Sequence, residues 1–277
     1  MELYAQLLTP EMRPVFLTAM FIFGSCIGSF LNVCIWRMPL KESIVFAPSH
    51  CTSCGKAIKW YDNIPLVSYL VLGGKCRSCH KHYTMRYFVI ELVTAIIFLL
   101  LAILCPPENL KLLPIFLTAS SVMIAAGMID AEHAIIPDKL SYFLLFAGIL
   151  YASIFGIFSP FSGRHHAGID GFATSIFTAI EVAVFLGIFA VIGKKLAGVT
   201  VLGWGDVKLL AAVGASLGLV GVLAITIIAS MAGAIFGVLL ALVKHQKMAK
   251  LHVRFGAFIA IATILYCILF YIVVPRL

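Results

Sequence analysis

Three short stretches of this sequence hold residues whose types and spacing suit chemistry. The first is a pair of cysteine motifs, C-T-S-C at 51–54 and C-R-S-C at 76–79. Two C-x-x-C pairs about 20 residues apart have the spacing of a four-cysteine zinc site. Each pair forms a tight knuckle that points two thiolates at one tetrahedral ion. With Cys51, Cys54, Cys76 and Cys79 as ligands the metal has no open position, so its expected role is structural. The competing readings are two disulfides or a redox motif, and a redox motif needs only one pair. His50, His80 and His82 adjoin the knuckles, but four cysteines leave them no need to ligate. Cys26, Cys34, Cys105 and Cys267 lie in or at the ends of apolar runs and read as small buried hydrophobes.

The second stretch is G-W-G-D at 203–206, with Lys208 two residues on. Asp206 opens an apolar helix, where an aspartate is a favoured N-cap. Capping does not explain Gly203 and Gly205, which let backbone or substrate approach closely. Lys208 is expected either to tune Asp206 or to snorkel toward lipid headgroups. The third stretch is G-M-I-D-A-E-H-A-I-I-P-D-K-L at 127–140. Asp138 follows Pro137, precedes a helix and reads as an ordinary cap. Asp130 ends an apolar run, where the negative end of the helix macrodipole disfavours a carboxylate. A residue placed against its local electrostatics is a functional candidate. If Asp130 and Asp206 meet, they share a proton. One carboxyl then acts as base on a water while the other protonates or polarises a carbonyl. That is aspartic-protease chemistry, and it needs no metal and no nucleophilic side chain. Glu91 and Glu181 also lie in apolar runs, where ionisable groups invite functional readings. Here they read first as ion-pair partners, of Arg86 or Lys208.

The elements that carry these residues are membrane helices. The chain has 277 residues, 62% hydrophobic and 12% charged, with mean hydropathy +1.08. A soluble domain carries roughly twice that charged fraction. About eight runs are long enough to span a bilayer or nearly so: 14–36, 87–105, 112–129, 140–158, 171–193, 207–220, 221–243 and 255–274. The sixth is short, and only Gly214, Gly218 and Gly221 hint at a break between it and the seventh. The fold class expected is an all-α polytopic membrane protein. Residues 1–36 hold the first helix, 37–86 a small polar insert with the cysteines, and 87–277 a helical bundle with both aspartates.

Basic residues orient the chain. Of the 20 Lys and Arg, all but Arg13, Lys111, Arg164 and Arg276 fall in 37–86, at 139, in 194–208 or in 244–254. Eight spans put these segments on one face, which the positive-inside rule makes cytoplasmic. Both termini are then outside. Asp130 ends an outside-to-inside helix and Asp206 begins an inside-to-outside one, so both reach the cytoplasmic edge. The net charge of +8 reads as topology and contact with anionic lipid, not as nucleic-acid binding. No basic n-region precedes the first apolar run and no small-residue cleavage site follows it, so the first helix is expected to stay. No internal repeat is evident, which weakens a transporter reading. A zinc-bearing scaffold or acyl-chain transferase would call for a nucleophilic cysteine outside the four.

In one order along most of the chain, these residues resemble the type IV prepilin peptidases, bifunctional leader peptidase/N-methyltransferases of bacteria. G-S-F-L-N-V-C-I-W-R-M-P at 28–39 looks like that family's first motif. Residues 50–79 look like its zinc-binding insert, and R-Y-F-V-I-E-L-V-T-A at 86–95 like the segment after it. D-A-E-H-A-I-I-P-D at 130–138 and G-W-G-D at 203–206 are similar to its two aspartate motifs. A lone G-x-G-D also occurs in the presenilin class, but the combination with a tetracysteine insert is specific. The resemblance implies that Asp130 and Asp206 are the proteolytic pair, supported by Gly203, Gly205 and Lys208. It implies cytoplasmic-side removal of a short basic leader from prepilins or pseudopilins of pilus or type II secretion systems, whose apolar N-terminal helix stays in lipid. It implies methylation of the new N-terminal amine with S-adenosylmethionine, in the bacterial inner membrane. No glycine-rich nucleotide loop marks the methyl-donor site, and the 37–86 insert with nearby helix ends is its expected seat.

Overall fold

Long apolar runs without interior proline fold as helices, because a bilayer leaves backbone groups no other partner. The computed structural model describes residues 9–45, 49–159, 164–198, 202–244 and 254–273. Lys247, Lys250 and Arg276, used above for orientation, lie outside the described residues. The chain divides into two compact units, Met1–Leu113 and Pro114–Leu277.

In the first unit, α1 (Arg13–Arg37) runs against α3 (Arg86–Leu104). Two glycines permit that approach. A Cβ on Gly24 would lie 2.8 Å from the Ala95 Cα, and one on Gly28 would lie 2.7 Å from the Glu91 Cα. The insert between them holds a 3₁₀ turn (Trp60–Asn63) and α2 (Val67–Val71). A second 3₁₀ turn, Pro107–Leu112, follows α3.

The second unit comprises α4 (Leu113–His133), α5 (Asp138–Phe155), α6 (Ile169–Ala197), α7 (Trp204–Lys244) and α8 (Phe255–Val273). Leu144, Leu209, Leu210, Val213, Ile225 and Ile259 form its fully buried centre. A small antiparallel hairpin, β1 (Ile157–Ser159) with β2 (Arg164–His166), links α5 to α6. The hydropathy pattern did not foresee it, since 140–158 reads as one continuous span. Gly156, at φ 82°, ends α5 and turns the chain out of the helix.

Among the described residues seven helices are long and apolar enough to cross a membrane. One of them, α7, holds two of the eight expected runs. Its 41 residues would reach about 60 Å if straight, twice a bilayer's apolar core. It is not straight: Gly218 has φ 77° and ψ 172°. Before the break, the chain leads from Gly205, against Ile136, to Ser216, whose hydroxyl donates to the Leu144 carbonyl. After it, Gly221 lies against Tyr266, and Gly233 against Phe255 and Phe258. Ala257 lies beside Asp130, so the second limb returns toward the end from which the first set out. Gly218 therefore turns one helix back as another.

Candidate active site and metal centre

The metal centre is built from two copies of one turn. In the first, Gly55 N–H donates to the Cys51 carbonyl (2.8 Å) and Cys51 N–H to that of Lys56 (2.9 Å). In the second, His80 N–H donates to the Cys76 carbonyl (2.9 Å) and Cys76 N–H to that of Lys81 (2.9 Å). Bridges His50–Ala57 and Lys75–His82 close the two turns identically. The sequence reading found no repeat, because the identity is confined to C-x-S-C-x-K at 51–56 and 76–81. Gly55 and His80 hold matching places, both left-handed, at φ 69° and 56°. His80 is exposed there, and its backbone is what the knuckle uses.

The four sulfurs lie within 4.8 Å of one another, with Cys51 and Cys79 Sγ 3.8 Å apart. This all-sulfur set fits a single tetrahedral ion. The Cys76 sulfur accepts the backbone N–H groups of Cys79 and then Ser78, which pulls its thiol down to about 6. A sulfur so placed is readily a thiolate, the form that binds metal. Arg77 clamps Asp62 through Nε and Nη2 at 2.6–3.0 Å. The guanidinium holds the Asp62 carboxyl below its usual range, and the pair ties the second knuckle to the 3₁₀ turn.

In the second unit, α4 carries Asp130 in its last turn and is the most buried of the spans. Asp130 is 7% exposed. The negative end of its own helix is answered from outside. Its Oδ2 accepts the Ala257 N–H (3.1 Å), the carboxylate also takes the Gly256 N–H, and Arg254 acts on it electrostatically. The carboxylate thus caps the positive N-terminus of α8, where an anion is favoured. The conflict inferred from sequence is resolved by a helix that begins more than a hundred residues later.

Asp206 is half-buried and sits in the first turn of α7. It is not the N-cap: the helix opens at Trp204, and Asp206 reaches back to accept the Gly203 N–H at 3.2 Å. That is the returning half of a capping box. Gly203 leaves room for the carboxylate, since a Cβ there would lie 3.0 Å from Oδ2. Gly205 instead serves packing, its missing Cβ facing the Ile136 Cβ at 3.1 Å. Ile136 Cδ1 also lies 2.9 Å from where a Cβ on Gly256 would be. One isoleucine therefore wedges between the start of α7 and the start of α8. The two carboxylates come close enough for Asp130's charge to act on Asp206.

Three expectations change. Asp138 makes no side-chain cap to α5. It takes both bonds from Lys208 Nζ, at 2.8 and 2.9 Å. Lys208 therefore neither pairs with Asp206 nor simply snorkels; it fastens the 134–138 turn to α7. Glu91 pairs with neither Arg86 nor Lys208. It accepts the Leu66 N–H at 2.8 Å and a hydrogen bond from Ser29. Arg86 lies over the Trp36 and Tyr87 rings. Glu181 is exposed on α6, with no ion pair among the described residues.

Comparison with known proteins follows the same division. Residues 22–105 match the model of the bacterial peptidase A24 N-terminal domain, and residues 115–238 that of the type IV leader peptidase family. A prepilin leader peptidase/N-methyltransferase of Myxococcus xanthus is 34% identical over 232 residues, covering 83% of this chain and 64% of that protein's length. One of Aeromonas salmonicida is 30% identical over 275 residues, 90% of this chain and 89% of the relative. A type 4 prepilin-like proteins leader peptide-processing enzyme of Escherichia coli O78:H11 is 33% identical over 248 residues, 83% and 86%. No solved structure matches.

Proposed function

This chain belongs to the type IV leader peptidase family, and from that premise we propose that it is a membrane-embedded prepilin leader peptidase and N-methyltransferase. It is a multi-pass inner-membrane protein. Asp130 and Asp206 are its proteolytic pair. The observation that carries this is their meeting at the Ile136 wedge, each carboxylate held by backbone N–H groups at a helix start.

One carboxylate takes a proton from a water as the water oxygen bonds to the scissile carbonyl carbon. The other carboxyl gives its proton toward that carbonyl oxygen. The tetrahedral centre then collapses, the C–N bond breaks, and the departing nitrogen takes up a proton. The products are a leader ending in a carboxylate and a mature chain with a free amine. Backbone N–H donors fix both carboxylates before substrate arrives, so little reorganisation is needed. Prepilin reaches the pair as an extended peptide past Gly203, which is exposed, while its apolar segment stays in lipid.

Methylation follows at the new amine. S-adenosylmethionine, when bound, would supply the methyl group, and the amine would release one proton as it takes it up. Cys51, Cys54, Cys76 and Cys79 would hold Zn²⁺ as four thiolates, leaving it no open position, so that its role would be to order the insert. The distribution of Lys and Arg supports a cytoplasmic side for the insert and the aspartates, with both termini outside.

Mass spectrometry of a prepilin incubated with purified protein tests this. The wild type and Asp138→Ala remove the leader, Asp130→Ala and Asp206→Ala do not, and S-adenosylmethionine adds one methyl to the product. If Asp206→Ala still cuts, that residue only caps α7 and the proteolytic assignment fails.

A further inference from the structure

The first unit contains a cavity of about 490 Å³ that the peptidase chemistry does not use. Its walls come from α1, α3 and the insert, all within that unit. The volume suits a drug-sized ligand. Flat apolar surface comes from Trp36 and from the Tyr69–Phe88 pair, whose rings lie 5.1 Å apart. Charges of both signs line it: the Arg37 guanidinium and the Glu91 carboxylate, 6% and 9% exposed.

The wall beside Glu91 is strained. Leu66 has φ 61° and ψ −50°, and the Val67 N–H donates to the Pro65 carbonyl at 2.6 Å. This is a γ-turn of the rare positive-φ kind, costly for a branched residue. The turn aims the Leu66 N–H at Glu91, so the carboxylate is held while part of its acceptor capacity stays free. A second tie leads to the metal centre. The Tyr83 hydroxyl hydrogen-bonds Cys76, and Tyr83 also lines the cavity, as do His50 and Thr52 on either side of Cys51.

We propose that this cavity is the methyl-donor site, which takes S-adenosylmethionine with its base among the aromatic rings, its ribose at Glu91 and its carboxylate toward Arg37. The assignment rests on the methyltransferase reading above. The donor combines a flat base, a diol, a carboxylate and a net positive charge in one molecule, and the lining offers a counterpart to each. Ring faces stack the base and favour the sulfonium. A carboxylate at the wall lowers the cost of bringing positive charge into a low-dielectric site. The metal supports the cavity through Tyr83 and the first knuckle, and so acts on methyl transfer only by holding the wall.

The test is direct binding of radiolabelled S-adenosylmethionine to the purified full-length protein, with bound metal measured in each sample. Wild type binds saturably. Glu91→Gln weakens binding about tenfold, and Ser68→Trp, which fills the cavity from α2, removes it, both with the metal retained. If both variants bind as wild type does, the donor sits elsewhere and the proposal fails. If wild type removes leaders but binds no donor, the methyltransferase reading itself fails, and the site with it. Should either variant lose its metal, ultraviolet cross-linking of the donor to wild type decides. Label on residues 29–37 or 68–91 supports the cavity, and label within 114–277 overturns it.

Discussion

The first unit fixes its polar groups with turns, the second with helix ends. Around the cysteines the backbone is wound into left-handed positions at Gly55 and His80 and a γ-turn at Leu66, conformations that need cross-links to persist. Around the aspartates one residue, Ala134 at φ 55° just after α4, takes such a position, but neither carboxylate is held by it. Helix starts already carry unpaired N–H groups, and two of them receive Asp130 and Asp206. A site built on turns depends on its staple; a site built on helix ends depends on how closely helices pack. The two should therefore fail separately, and under different insults.

The largest effect is expected from the aspartates themselves. Asp206→Ala or Asp130→Ala lowers leader cleavage by roughly 10³-fold or more, while methylation of a synthetic, already mature pilin N-terminus continues. Loss of both activities would show the two units to be one machine. Next comes metal removal. Chelation, or Cys54→Ser with Cys79→Ser, abolishes donor binding and methylation, read by label retention, and reduces cleavage far less.

A finer probe leaves every carboxylate in place. Gly256→Ala sets a methyl 2.9 Å from Asp130 Oδ2 and Ile136 Cδ1, so it should slow cleavage by about 10- to 100-fold, measured as kcat, with donor binding untouched. Gly148→Ala drives a Cβ to within 2.8 Å of the Ser216 Cα. It should lower the thermal stability of the second unit by about 1–3 kcal/mol. The smallest effect belongs to Asp138→Ala. The Lys208 pair is solvent-exposed, 40% and 52%, and such pairs contribute at most about 1 kcal/mol. Cleavage should therefore stay within about tenfold of wild type.

Much of this was legible in the sequence, and what was not has a common cause. The cysteine knuckles depend on spacings of a few residues, so their grouping could be read directly. The helices could be read because lipid imposes one length and one composition on them. Asp206 could be placed near a helix start, although the capping residue itself is Gly203. What sequence could not supply were partners brought from afar: Ala257 to Asp130, Lys208 to Asp138, Leu66 to Glu91. Each joins segments that hydropathy treats as independent. One of the two readings of Lys208, tuning Asp206, rested on closeness in sequence, whereas on a helix residues two apart face different ways.

The break at Gly218 also bears on where the hydrolytic water comes from. From Trp204 to Leu217 the first limb of α7 rises about 21 Å, well short of the ~30 Å apolar thickness of a bilayer. Such a mismatch is met by thinning the surrounding lipid. If the glycine turn sits at the far boundary, the hydrated boundary dips toward Asp206. A protease that takes a lipid-anchored substrate then needs no aqueous channel, because the shortness of one helix brings the solvent down to the carboxylates.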